Sequence, residues 1–257
     1  MWYTVLKATW KQCYLHTVRY WFNMLSGVIT LYIIFLMLFM GTKAIGAGAF
    51  NLGETLEGLF TGYVVWMIVL MGFQDLAWGI TNEAQTGTLE QLYLSPVGYK
   101  WIGVFMQSCN MLLNLVLMAV IVILMALMTG QSVHLDVVSL VPLFIAAYLQ
   151  ANGLGFALAG LALIYKRISA FFQVVQFAVI GLLVLPWNRF PWAKYLPFTM
   201  ARHLLQQVMM NGVRLWQFPL SHIGILLLVT AVSLGLGLAL FSLAETKARA
   251  RGLLGQY

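Results

Sequence analysis

Asp75 is the residue whose type and place most clearly call for chemistry, because the long apolar runs of this chain hold essentially no other ionisable group. A charge in a bilayer costs a few kcal/mol or more, so an acid there is a functional candidate by default. It stands near one end of its run, where water or a neighbouring helix can also solvate it, and a purely structural role stays open. Gln107, Asn110 and Asn114 follow i, i+3 and i+4 spacing and so share one helix face. Such a stripe either lines a path or ties helices together by interhelical hydrogen bonds. Ser169, Gln173 and Gln176 lie along one side of a later run and pose the same choice. These groups can hydrogen-bond and select a passing molecule.

Signatures of catalysis are missing. There is no G-x-S-x-G and no H-E-x-x-H. His16, His134, His203 and His222 are dispersed over ends, loops and the edge of a late apolar run, as solvated or interfacial histidines are. No catalytic residue and no metal ligand set is expected. No GxxxxGK[ST] occurs, so the chain binds no ATP through a P-loop of its own. Proton or sodium coupling usually needs several ionisable groups at midplane depth, and inverted repeats are not visible either. If the chain transports, its energy arrives from a partner. An uncoupled channel and an intramembrane enzyme are the rival classes.

The surrounding elements must therefore be membrane helices. Of 257 residues, 62% are hydrophobic and only 8% charged, which places the chain in a bilayer as one membrane domain over 1–257. The +7 formal charge is scattered over loops and ends without a basic face, so nucleic acid is not expected as a partner. Cys13 and Cys109 fall in a terminal segment and in the middle of an apolar run, and read as reduced packing residues, not a disulfide. Lys7, Lys11 and Arg19 are spread through an aromatic-rich start, unlike a signal peptide, so the first span is expected to stay in the mature protein.

Hydropathy predicts six spans, at about 22–40, 59–80, 96–128, 138–164, 168–185 and 220–243. Ahead of them, residues 1–21 form an amphipathic stretch with Trp2, Tyr3, Leu6, Trp10 and Cys13 on one side and Lys7, Lys11, Gln12, His16 and Arg19 mostly on the other. That pattern reads as a helix in the headgroup layer. The third span is longer than a crossing requires and must tilt or project. Ala147, Ala151, Gly155 and Ala159 recur every four residues and predict close helix packing. Between the last two spans, 186–219 is broken by Pro191 and Pro197 and carries Trp187, Trp192, Trp216, Arg189, Lys194, Arg202 and Arg214. It is too polar to cross and too apolar to float free, so an outer interfacial position with a short helix over 199–210 is expected.

The polar run NEAQTGTLEQLYLSP, residues 82–96, joins spans two and three as a water-exposed knuckle. Thr88 and Gln91 make a capping box, Gly87 frees the turn before it, and Ser95-Pro96 pair an N-cap with a favoured first helical position. A helix of about two turns fits between them, with Leu89, Leu92 and Tyr93 on one face. Its shape is that of a docking peg.

The order Glu83, Gly87-Thr88-Leu89-Glu90, Leu92, Ser95-Pro96 resembles the E-x-x-x-G-T-L-E-x-L-x-x-S-P signature of the ABC-2 permease family, the membrane subunits of type 2 ABC exporters. The match is specific over these residues, and the hydropathy layout extends it loosely over the chain. Family members commonly flank the first Glu with Arg. Here Asn82 and Ala84 stand instead, so no salt bridge from those arginines carries over. The resemblance implies that this segment is the first coupling helix, seated in a groove of a cytoplasmic ABC ATPase that binds ATP and Mg. It also implies a second permease copy, identical or not, and a path near the first, second and fifth spans, capped by short outer-leaflet helices. In this reading Leu89, Leu92 and Tyr93 are apolar contacts, Glu83 and Glu90 polar ones, Gly87, Thr88 and Pro96 shape the peg, and the basic turn Tyr165, Lys166 and Arg167 is a smaller contact. Asp75, Gln107, Asn110, Asn114, Gln173 and Gln176 are the candidate pathway residues. The expected cargo is hydrophobic or amphipathic, of drug or antibiotic type, with lipid-linked polysaccharide as the alternative.

Six spans put both ends on one side. With the ends inside, cytoplasmic segments hold nine Lys/Arg (Lys7, Lys11, Arg19, Lys100, Lys166, Arg167, Lys247, Arg249, Arg251) against five outside. The charge bias therefore predicts cytoplasmic termini, in the cell membrane of a prokaryotic host as the resemblance implies.

Overall fold

The computed structural model describes residues 2–46, 52–85, 93, 98–130, 133–165, 168–184 and 190–250. The described chain forms eight α-helices and two 3-10 turns, with no strand among these residues. The helices are α1 (Trp2–Arg19), α2 (Trp21–Gly46), α3 (Leu52–Gln85), α4 (Tyr99–Thr129), α5 (Val137–Tyr165), α6 (Ser169–Val184), α7 (Thr199–Asn211) and α8 (Leu220–Ala250). Five of them, α2, α3, α4, α5 and α8, are long and apolar enough to cross a membrane. At 16 residues, α6 is about 24 Å long, short of a ~30 Å hydrocarbon core. Large apolar side chains also face outward, among them Leu112, Val116 and Leu127 on α4 and Leu227, Leu236 and Leu243 on α8. A protein in water buries such stripes, and a bilayer solvates them.

Three helices outrun their expected bounds, α2 by reaching Gly46. α3 continues through Asn82 and Glu83 to Gln85, so the start of the polar knuckle is helical. Leaving the apolar zone does not end a helix while no breaker intervenes. α8 likewise reaches Ala250, where Glu245 and Arg249 pair across one turn at 2.6 Å. The opposite correction applies to the third span. α4 starts at Tyr99 and not at Pro96, because Gly98 takes φ 75°, a left-handed value that glycine adopts without penalty.

The centre of the bundle is α5, which packs most extensively on α8 on one side and α3 on the other. Its contact with α8 is backbone on backbone: a Cβ on Gly237 would lie 2.7 Å from Gly153 Cα and closer still to its carbonyl oxygen. The ridge of small residues on α5 faces α3, where a Cβ on Gly72 would come within 2.6 Å of Ala151 Cβ. Its expected packing role is thus realised.

Among the described residues, the region between α6 and α8 holds one α-helix, α7, between 3-10 turns at Pro191–Tyr195 and Leu215–Gln217. Met200, Leu204, Leu205, Val208 and Met209 of α7 are buried against α3 and α5. This piece is wedged into one end of the bundle, more deeply than an interfacial position alone requires. Buried Gln150 holds its entrance, accepting from the Phe198 amide at 2.7 Å and donating to Thr230 Oγ1 at 2.9 Å. Phe198 sits at φ 67°, the one non-glycine residue with positive φ among those described. A satisfied amide at that spot holds the left-handed turn.

Candidate functional site

The amide stripe of α4 and the carboxylate of α3 meet. Asn114 Nδ2 donates to Asp75 Oδ2 at 3.1 Å and to Tyr148 Oη at 3.2 Å, and Tyr148 Oη donates to Gln107 Oε1 at 2.9 Å. Asn114, Tyr148 and Gln107 are buried, whereas Asp75 is exposed. The network thus has a dry root, at Tyr148 on α5, and an open end at the acid. Asn110, half-buried on the same stripe, accepts from Cys13 Sγ at 3.3 Å and draws α1 into the cluster.

α1 is helical as its periodicity requires, and its aromatic side packs on α4. Trp2 meets Trp101 edge-on at 5.4 Å, and Trp10 Nε1 donates to Ser108 Oγ at 3.0 Å. Tyr3 and Tyr14 remain exposed, as do Lys7, Lys11 and Arg19. Cys13 and Cys109 are free, buried thiols, in agreement with their reading as reduced packing residues. Their side chains nonetheless meet. Burial pushes the Cys13 thiol up to about 12, and the neighbouring Cys109 and then Asp75 add to the shift.

The face of α3 that carries Asp75 differs from the rest of that helix. Gly72, Phe73, Leu76, Ala77 and Ile80 are buried, while Asp75, Trp78 and Asn82, three and four residues apart, are exposed. Trp78 also meets Phe172 of α6 edge-on at 5.6 Å, so α3 and α6 close one side of this face. Gln173 is exposed and Gln176 half-buried on α6, and neither takes part in the Asp75 network among the described residues.

Glu83 is half-buried near the end of α3. Tyr93 is half-buried, its ring stacked on Tyr99 at 5.4 Å and covered by the Arg249 guanidinium at 5.0 Å. Tyr165 is exposed at the end of α5. Gly87, Thr88, Leu89, Glu90, Leu92, Pro96, Lys166 and Arg167 lie outside the described residues. The ends of α3, α5 and α8 and the starts of α1 and α4 gather at this pole, with Lys100 donating to Ser242 Oγ at 3.0 Å.

At the opposite pole Arg202 of α7 donates to the Leu183 carbonyl in the last turn of α6, where a cation suits the helix dipole. Its guanidinium lies by Gly58 and Gly62 of α3, and its Nε is buried without a hydrogen-bond partner. Burial lowers its pKa from the usual arginine value. His203, next in the chain, packs edge-on against His222 at 6.0 Å, and burial, then His222, lowers its pKa. Among the described residues no three His, Cys, Asp or Glu side chains gather to hold a metal.

Sequence reasoning passed over two members of this site, Tyr148 and Trp78. Each is a polar-tipped ring in an apolar run and could have been flagged as such. Nothing in the spacing joined Cys13 to Cys109. Comparison with models of known families returns no match, and comparison with curated proteins returns none.

Proposed function

We propose that this chain is the permease subunit of an ATP-driven ABC exporter that moves a hydrophobic or amphipathic cargo across the cell membrane. The resemblance of residues 83–96 to the ABC-2 coupling signature supplies the class. The structural observation that carries the reading is the grouping at one pole: Arg249 covers Tyr93, Tyr93 stacks on Tyr99 with Glu83 nearby, and Lys100 reaches Ser242 of α8. Lys/Arg excess marks the cytoplasmic side of a membrane protein, and that is where an ATPase can reach.

In this reading α2, α3, α4, α5, α6 and α8 are six spans. α1 lies at the cytoplasmic interface, and α7 with its flanking turns caps the outer side. Two permease copies, identical or different, enclose the path and dock two ATPases through residues 82–96, with Tyr165 to Arg167 as a lesser contact. The chain is not an enzyme and binds no cofactor of its own. ATP and Mg sit on the ATPase. The contact of Trp78 with Phe172 favours a path bordered by α3 and α6, the second and fifth spans. Aromatic and amide lining suits a drug or antibiotic, and lipid-linked polysaccharide is the second cargo class.

Closure of the ATPases around ATP would push the pegs and alternate the path between inward and outward openings. Gly87→Pro breaks the turn and Leu92→Asp places a charge in the docking face. Each is expected to leave the protein inserted and to abolish cargo-stimulated ATP hydrolysis in the reconstituted complex. Unchanged stimulation would favour an uncoupled pore or an intramembrane enzyme.

A further inference from the structure

The open end of the Asp75 network has a polarity that selects a ligand. Asn114 spends its two amide hydrogens on Asp75 and Tyr148, and Tyr148 spends its own on Gln107. The hydrogen-bond chain thus runs as donors toward the carboxylate on one side and away from it on the other. Asn114 donates to Asp75, Tyr148 lies within hydrogen-bonding reach of it as well, and the carboxylate has capacity for more. No cation pairs with it: Arg249–Glu245 is the salt bridge formed among the described residues. Asp75 is also exposed, so the carboxylate is open to a ligand on this face of α3. One turn along the same face stands Trp78, 43% exposed, which leaves an indole surface free to meet a ligand.

A carboxylate beside an indole, with no counter-ion among the described residues, matches a delocalised organic cation. The acid supplies charge, the ring supplies cation–π attraction and apolar area, and a small hydrated ion would gain little from the ring. We infer that Asp75 and Trp78 form a binding site for lipophilic monocations, with Asn114 and Tyr148 as positioning residues that hold the carboxylate on this face of α3. The inference rests on the exporter reading for its meaning, since it names the charge class of the cargo. Its chemistry needs only the folded chain.

The test is equilibrium binding to the full-length protein in lipid nanodiscs, with empty nanodiscs subtracted. The probes are tetraphenylphosphonium and neutral triphenylphosphine oxide, which share an aromatic body and differ in charge. Wild type is expected to bind the cation at least tenfold more tightly than the oxide. Asp75→Asn should abolish that preference, Asp75→Glu should keep most of it, and Trp78→Leu should weaken the cation several-fold. Equal binding of the two probes by wild type overturns the proposal even if no variant folds. So does an Asp75→Asn protein that keeps the preference. Because no ATPase is present, a failure here leaves the coupling role of residues 82–96 untouched, and loss of ATPase coupling leaves this binding untouched.

Discussion

Two helix seams of the bundle, α5–α8 and α3–α4, are built from opposite materials. Where α5 meets α8, Gly153 and Gly237 let backbone touch backbone with no room for a methyl group. Where α4 meets α3, the joint is an amide, a carboxylate and a phenol: Asn114, Asp75 and Tyr148. In a bilayer, helix association comes from packing and from interhelical hydrogen bonds, and the two seams divide these contributions between them. The first is dry and allows little sliding. The second is polar and opens to the outside at Asp75. The contrast assigns the fixed part of the molecule to α5–α8 and the part that can exchange partners with a ligand to the Asp75 face of α3.

The largest expected effect comes from breaking the dry seam. Gly237→Leu forces a side chain onto the Gly153 backbone, and overpacking of this kind costs on the order of 3 kcal/mol. Thermal unfolding in detergent should show a large fall in Tm or loss of the folded protein. A normal Tm would mean that the close crossing is not a fixed point.

Breaking the polar seam should cost less. Tyr148→Phe keeps the ring, removes the hydroxyl, and strands Gln107 Oε1 and one Asn114 hydrogen. Interhelical hydrogen bonds in membranes are worth about 1 kcal/mol, so Tm should fall only modestly while tetraphenylphosphonium binding drops with the mispositioned Asp75. A fall as large as that of Gly237→Leu would erase the distinction between the seams.

The smallest effect concerns α7. His203 has a folded-state pKa below its ordinary value of 6.5, because burial and His222 disfavour its charged form. Between those two values the unfolded chain binds more protons than the folded one, so stability rises with pH there and levels off above about 6.5. Acidification should lower Tm slightly as pH falls from 6.5 through the depressed value. His203→Gln should flatten that slope, and an unchanged slope would place the titration elsewhere.

Much of this architecture was written in the hydropathy of the chain, because a bilayer demands long apolar helices and leaves them few alternatives. The stripe of Gln107, Asn110 and Asn114 was legible for a related reason: amides spaced by helical turns inside an apolar run must meet something. What they meet was not legible. The acid that receives Asn114 lies 39 residues away, and Tyr148 lies on a third helix, so their convergence depends on tertiary packing. The helix ends at Gln85 and Ala250 escaped for another reason, since polar residues continue a helix as readily as apolar ones do once it is nucleated. The depth of α7 was hidden by its prolines and charges. Its buried face became visible only with Met200, Leu204 and Val208 against α3 and α5.

The most direct test of the central claim places a photo-crosslinking amino acid at Leu92 in the otherwise intact chain, in native membranes. Irradiation should join it to a cytoplasmic protein that carries a P-loop and hydrolyses ATP, with protection from membrane-impermeant reagents added outside. Labelling of position 92 from the exterior, or a crosslinked set without any P-loop protein, would contradict the account.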